Sequence, residues 1–166
     1  RIDTLGQFSA NGIALTNAGP LTVAGPIDAR SGGLLLTLSQ GDLAIDGSVS
    51  AADIRLEVAG GISQGDDGQL VANSLSGRAG GAVVLGDAER FVDNRIERIG
   101  DFTAREGFSM TNGRSLTLVS LNGSDFTIDA GSADFYLAVD GDLRQDGTDW
   151  LYNGRGTWSA TGGIGL

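Results

Sequence analysis

The sequence contains no cysteine, no histidine and no lysine among its 166 residues. Without cysteine the chain forms neither a disulfide nor a thiolate metal site. Without histidine and lysine it can build no Ser-His-Asp triad, no Cys-His dyad and no Ser-Lys dyad. Carboxylates, arginines, hydroxyls and amides are the reactive groups that remain. We therefore expect no enzymatic activity and no cofactor.

Positive charge is scarce. The 11 arginines face 21 acidic residues, which leaves a formal net charge of −10. Because binding to phosphates needs clustered positive charge, we expect no nucleic-acid partner. Electrostatic docking to anionic lipid is disfavoured for the same reason. No apolar run approaches the ~20 residues of a membrane-spanning helix, and no signal peptide is recognisable.

Proline is rare, with 2 residues, whereas glycine is common, with 28, and hydrophobic residues make up 40% of the chain. Short segments in which apolar residues alternate with others predict strands with one buried face; examples are Leu34–Leu38, Ile54–Val58 and Phe135–Val139. Glycine pairs such as Gly32-Gly33 and Gly60-Gly61 separate them. No segment shows helical periodicity, so the sequence predicts an all-β fold.

A short period runs through the chain. Apolar residues recur every 20 or 21 residues in two series: Leu15, Leu36 and Leu56, and Leu116, Leu137 and Trp158. Short strands in coils of constant length favour a solenoid over a sandwich. We predict a right-handed parallel β-helix of about eight coils of ~20 residues, near 40 Å long at a coil spacing of ~4.8 Å.

Longer units recur as well. Residues 52–64 match residues 133–145 without a gap, which predicts that their equivalent positions stack. Residues 1–10 match residues 95–104, and the match continues with Thr16-Asn17 onto Thr111-Asn112. Residues 86–98 break the alternation, and we interpret them as a charged excursion or an irregular coil.

The whole chain, residues 1–166, is predicted to be one β-helix segment. The alternation predicts that Arg55, Glu57 and Tyr136 point outward. The expected inward core stack is Leu36, Leu56, Leu75, Leu116, Leu137 and Val139. Both ends lie within the repeat pattern, so we expect a fragment of a longer rod that continues covalently or by end-to-end self-association.

Several runs carry a family resemblance: 52–64, 70–77, 82–86 and 99–104. They resemble the filamentous-haemagglutinin-like exoproteins of two-partner secretion systems, and the resemblance covers nearly the whole chain. It implies a secreted right-handed β-helix at the bacterial cell surface, used for adhesion, biofilm formation or toxin delivery. The implied partners are a host or neighbouring-cell surface, extracellular polysaccharide, and an outer-membrane transporter for secretion. The secretion-signal domain of the family is not evident in this sequence.

Two groups of carboxylates are candidates for other chemistry. Asp66-Asp67 could supply the acid and base of a β-helical polysaccharide hydrolase, although Gly65 and Gly68 favour a solvated turn. A lyase with an arginine base and calcium could use Asp140, Asp142, Arg144 and Asp146. Asp140 and Asp142 are also candidate structural calcium ligands, for which a surface turn is the simpler interpretation. We favour the turn in both cases and expect no metal site.

Aromatic residues gather towards the end of the sequence, at Trp150, Tyr152 and Trp158. Exposed aromatic rings on a β-helix can stack on sugar rings, which makes a carbohydrate-binding module an alternative function. The other interpretation places Trp158 in the core in place of the stacked Leu137. The main expectation is a structural and adhesive rod, with a polysaccharide lyase or hydrolase and a carbohydrate-binding module as alternatives.

Overall fold

The computed structural model of the protein describes residues 1–86, 94–120, 126–146 and 150–166. In these ranges the chain forms strands and turns without any helix. The 18 strands belong to one sheet, and all their pairings are parallel. The sheet winds into a β-solenoid of about seven turns, which confirms the predicted all-β solenoid of parallel strands.

The strands differ in length because some of them continue around a corner of the solenoid. In chain order they are β1 (Thr4–Leu5), β2 (Phe8–Ser9), β3 (Ile13–Asn17), β4 (Leu21–Val23), β5 (Ile27–Asp28), β6 (Leu34–Leu38), β7 (Leu43–Ile45), β8 (Ser48–Val58), β9 (Ile62–Gln64), β10 (Gln69–Ala79), β11 (Val83–Leu85), β12 (Arg95–Ala104), β13 (Phe108–Asn112), β14 (Leu116–Val119), β15 (Phe126–Val139), β16 (Leu143–Asp146), β17 (Trp150–Ala160) and β18 (Ile164–Gly165).

The pairings arrange these strands in three faces. The first face is the ladder β1–β4–β7–β9–β11–β13–β15–β17. The second is β2–β5–β8–β10–β12–β14–β16–β18. The third is β3–β6–β8–β10–β12–β15–β17. Inward side chains from all three faces fill one continuous core along the axis.

The coils are not of constant length. On the first face Leu21, Leu43, Ile62 and Val83 stand one above the other in register, at intervals of 19 to 22 residues. The next two steps of the same column, to Phe108 and to Phe135, take 25 and 27 residues. Longer coils explain why there are about seven turns and not the predicted eight.

The prediction of an irregular coil over residues 86–98 is wrong for its last part. Arg95 begins β12, which pairs with β10 at Val71 and with β14 at Arg98; the register of the β10–β12 pair shifts only later, between Leu75 and Gly77. Residues 87–93 lie outside the described residues. The alternation is hard to recognise here because β12 runs through two faces.

The six residues of the predicted core stack are all buried, none more than 2% exposed: Leu36, Leu56, Leu75, Leu116, Leu137 and Val139. They belong to several columns, not one. Leu36 and Leu56 stand in the same column with Leu15, as their spacing predicted. Leu75 stands on Ile54 in the neighbouring column.

The second predicted series, Leu116–Leu137–Trp158, is wrong at its first member. Leu137 stands on Met110 and is followed by Trp158. Leu116 instead stands under Leu143 on the second face. Leu116 and Leu137 are 21 residues apart, whereas the coil from Phe108 to Phe135 takes 27, so the 21-residue spacing does not close a full turn here.

The repeated units likewise do not stack on one another. Phe135 is the sequence counterpart of Ile54, yet it stands in the first-face column of Ile62. Thr4 lies on β1 of the first face, whereas its counterpart Arg98 pairs with Ser74 of β10, which does not belong to that face. Each second copy therefore lies further around the solenoid than the first, and the predicted stacking of 52–64 with 133–145 is wrong.

The repeated unit of residues 1–10 and 95–104 preserves a local contact. Asn17 accepts a hydrogen bond from the Ile2 N–H (2.9 Å) and donates to the Ile2 carbonyl oxygen (2.6 Å). Asn112 does the same with Ile96, at 2.9 and 3.0 Å. Both asparagines are buried, at 3% and 0% exposed. Each buried amide thus supplies the ladder contacts that the backbone cannot make where the chain turns a corner.

Candidate functional site

The predicted carboxylate pair Asp66-Asp67 occupies an exposed turn between β9 and β10. The Gly68 N–H closes this turn on the Gly65 carbonyl oxygen at 3.0 Å. Within the described part of the chain neither carboxylate has a side-chain partner. The geometry is that of the solvated turn that the two flanking glycines favour.

The second carboxylate group is used to join neighbouring coils. Asp140 accepts a hydrogen bond from the Thr161 hydroxyl at 2.7 Å. Asp142 accepts one from the Gly163 N–H at 2.9 Å through Oδ1 and pairs with Arg144 at 2.8 Å through Oδ2. Asp146 ends β16. Among the described residues no three acidic side chains come together as a metal site.

The contact of Asp142 recurs at Asp42, which accepts the Gly61 N–H at 2.7 Å. In both places a Gly-Asp-Leu turn lies below a Gly-Gly-Ile turn one coil later. A Cβ atom on the first glycine of the upper turn, Gly60 or Gly162, would collide with the carboxylate oxygen. We call this contact the Asp–Gly staple. Recurrence of Gly-Asp-Leu one coil before Gly-Gly-Ile is the sequence signal that could have found it.

The staple makes stability depend on pH. Hydrogen bonding from the Gly163 N–H, and then the hydrogen bond and charge of Arg144, hold the pKa of Asp142 below its ordinary value. A depressed pKa in the folded state stabilises the fold above the carboxyl's unfolded pKa, and this contribution is lost as the pH falls through the folded pKa. We expect Asp142→Asn to lower the urea midpoint at pH 7 and to have progressively less effect below about pH 4.

Urea titrations between pH 3 and pH 7, followed by circular dichroism, measure this difference. Asp66→Asn is the matched control, because it removes one negative charge from an exposed turn without a partner. A midpoint difference between the protein and Asp142→Asn that is the same at every pH would contradict the prediction.

The predicted aromatic cluster is divided by the structure. Trp158 is half-buried and packs against the core, with its ring centroid 4.5 Å from that of Phe135. It extends a row of rings in which Phe102, Phe108 and Phe135 follow at centroid distances of 5.2 and 5.6 Å. Trp158 thus follows Leu137 in its column, as the core interpretation expects. The side chains of Trp150 and Tyr152 lie outside the described residues.

The outward surface of the third face carries a groove of about 630 Å³. One wall is an outward column in register: Thr37, Glu57, Arg78 and Thr103. The parallel ladder places a second column beside it: Ser39, Ala59, Gly80 and Arg105. Because Ala59 and Gly80 have little or no side chain, the surface is recessed between Ser39 and Arg105. We call this the arginine groove.

Glu57 organises the charges beside the groove. Its carboxylate accepts hydrogen bonds from Arg55, two residues earlier on β8, at 2.7 to 2.8 Å. The other carboxylate oxygen pairs with Nε of Arg78, one coil further. The Glu57 side chain is only 12% exposed, whereas those of Arg55 and Arg78 are 59% and 74% exposed. The carboxylate predicted to point outward is therefore covered by two guanidinium groups.

The remaining polar groups of the groove are unpaired in the described part of the chain. Thr37, Ser39, Thr103 and Arg105 have no side-chain hydrogen bond or ion pair with another described residue, and Arg78 uses only Nε. The sequence analysis did not identify this site, because the proximity of Glu57 and Arg78 cannot be recognised until the register between their coils is known. The alternation of Arg55 and Glu57 around the buried Leu56 was the available signal.

Comparisons with protein-family models, curated proteins and solved structures found no match to this chain. The described part of the chain contains no helix that is long and apolar enough to cross a membrane.

Proposed function

We propose that this chain is a segment of a structural and adhesive rod in a secreted bacterial surface or extracellular-fibre protein. It would mediate attachment or the assembly of an extracellular matrix, in the manner of filamentous-haemagglutinin-like exoproteins. The observation that carries the proposal is the continuous parallel ladder over one core. Its hydrogen bonds run along the axis, so the backbone itself resists extension of the rod.

The Asp–Gly staples support the same role. Asp42 and Asp142 each tie a turn to the coil above it, in two separate parts of the solenoid. Side chains that join successive coils stiffen a solenoid, in which each coil otherwise contacts only its neighbours. A stiff rod suits a protein that holds binding surfaces away from the cell.

A carbohydrate-binding role is the second candidate, and the arginine groove favours it. A polysaccharide hydrolase or lyase finds less support. Asp66 and Asp67 lie in an exposed turn, whereas Asp140 and Asp142 are engaged with Thr161 and Gly163. These two carboxylate groups do not converge on one point, as a carboxylate pair acting on one glycosidic bond must.

Attachment can be measured with beads that carry residues 1–166. We expect the coated beads to be retained under flow on bacterial lawns, on animal-cell monolayers or on a layer of extracellular polysaccharide. Beads coated with albumin, which is also acidic, are the control. Retention equal to that of albumin beads on all of these surfaces would contradict the adhesive role. Seven coils at ~4.8 Å each give residues 1–166 an axial length of about 34 Å, which small-angle scattering can check.

A further inference from the structure

We propose that the arginine groove binds carboxylate groups of an acidic, uronate-type polysaccharide. The proposal rests on the extracellular role proposed above, and it names the ligand class and the residues that bind it. Arg78 and Arg105 would bind the carboxylates, and the hydroxyls of Thr37, Ser39 and Thr103 would bind sugar hydroxyls. The groove brings these two guanidinium groups and three hydroxyls together on the surface of an acidic chain.

The ion pair with Glu57 prepares Arg78 for this task. Because Arg78 forms its ion pair with Glu57 through Nε, its two terminal Nη groups remain for a ligand. A guanidinium presents its donors as a planar fork that matches a carboxylate, and an oriented fork loses less conformational entropy on binding. Glu57 therefore acts as a positioning residue, and it leaves the groove with the unpaired charge of Arg105.

The shape of the groove fits a chain better than a single ion. Ser39 and Arg105 lie three coil spacings apart in the second column, which is about 14 Å. Gly80 places no side chain on the floor between them, and this position is restricted to glycine because a Cβ there would collide with the Ala59 carbonyl oxygen. The floor's backbone N–H groups are used by the ladder: that of Gly80 donates to the Val58 oxygen at 3.0 Å. Side chains must therefore supply the donors to a ligand.

Two carboxylates border the groove without lining it: Asp101, which shares a neighbouring pocket with Arg78 and Thr103, and Asp129. Asp129 is the next residue of the wall column after Thr103, and its carboxylate accepts the N–H of Gly131 at 2.9 Å. Glu57 is shared by Arg55 and Arg78. Among the charged side chains that line the groove itself, two are arginines and one is a carboxylate, although the net charge of the chain is −10.

The residues that line the groove favour a polysaccharide over a protein or a nucleic acid as its ligand. Protein partners are usually anchored by aromatic or large apolar side chains, and the exposed lining here consists of hydroxyls, small residues and arginines. A nucleic acid needs many clustered cations, which a chain of net charge −10 does not offer. Hydroxyls beside guanidinium groups are complementary to a sugar that carries a carboxylate.

Binding can be measured by isothermal titration calorimetry with residues 1–166 and polygalacturonate. We expect Arg78→Gln and Arg105→Gln each to raise the dissociation constant about tenfold, because each substitution removes a charge-assisted hydrogen bond to the ligand. Arg95→Gln is the matched control. It removes the same charge from the same strand as Thr103, at an exposed position without a partner among the described residues. Circular dichroism and urea midpoints establish that each variant is folded.

Other probes test the assignment of the ligand. Neutral dextran should not bind, and dextran sulfate should bind more weakly than polygalacturonate. Equal weakening by Arg95→Gln, no binding of polygalacturonate, or tighter binding of dextran or dextran sulfate would overturn the proposal. So would complete displacement of the polymer by millimolar galacturonate or inorganic phosphate, which would indicate a single-ion site.

The bead assay separates this proposal from the proposed function. Beads that attach normally although the protein binds no polygalacturonate would refute the groove and leave the adhesive role intact. A protein that binds polygalacturonate through Arg78 and Arg105, on beads that attach to no surface, would refute the adhesive role and support the groove.

Discussion

Replacing Phe108 with alanine is expected to destabilise the protein by about 3–5 kcal/mol. Phe108 is 1% exposed, and its ring lies between those of Phe102 and Phe135, at centroid distances of 5.2 and 5.6 Å. Truncation removes both contacts and opens a cavity in the core. Only the coils directly above and below contact this part of the core, so few neighbours can fill the cavity. The expected loss is a large part of the 5–15 kcal/mol that is typical of a domain.

Urea unfolding followed by circular dichroism measures this loss. Val84→Ala is the control. Val84 lies on β11, beside Ser109 of the strand that carries Phe108, but it is 43% exposed, so we expect a change within about 0.5 kcal/mol. A solenoid can unfold in parts, so the slope of the transition must be compared as well as its midpoint. If the urea midpoint of Phe108→Ala is close to that of Val84→Ala, the row of aromatic rings does not contribute to the stability of the core.

Replacing Asn112 with leucine is expected to cost about 2–5 kcal/mol, although the two side chains are similar in size. The amide of Asn112 bonds to the N–H and carbonyl oxygen of Ile96 and to the carbonyl oxygen of Arg114. Leucine leaves these groups without a partner, and those of Ile96 are buried. A buried backbone group that loses its hydrogen bond pays the full cost of its desolvation.

Asn17→Leu is a matched control because Asn17 makes the same contacts with Ile2 and with the Gly19 carbonyl oxygen. Ile2 is 38% exposed, whereas Ile96 is 0% exposed. Water can replace the amide at Ile2, so we expect a smaller loss for Asn17→Leu. Thermal and urea unfolding of the two variants measure the difference. Equal losses would mean that the hydrogen bonds matter less than the fit of the side chain.

The strands were predictable because alternation of inward and outward residues is local. Leu34–Leu38 is a strand and Ile54–Val58 is the last part of β8, with alternate residues such as Leu36 and Leu56 buried and Leu35 exposed. The number of coils was less predictable, since a coil can lengthen at its corners without changing its strands. That lengthening moved Leu116 out of the column of Leu137.

The candidate site could not be predicted from the sequence for a related reason. Glu57 and Arg78 meet because their coils are in register, and register is a property of the whole turn. The repeated Thr-Asn pair was visible in the sequence, but the partners of Asn17 and Asn112 depend on which strand lies alongside. Individual residues showed which side chains face outward, and only the winding of the chain showed which of them are neighbours.

The shifted position of the repeated units has a consequence for how such a rod can change in length. Residues 133–145 keep the local structure of residues 52–64 although they occupy another face, as Phe135 in the column of Ile62 shows. A unit therefore requires only a parallel strand beneath it and not a particular side of the solenoid. A duplicated stretch of gene need not encode a whole number of turns to be accommodated, and each duplication that falls short of a full turn carries its outward residues to a different side of the rod.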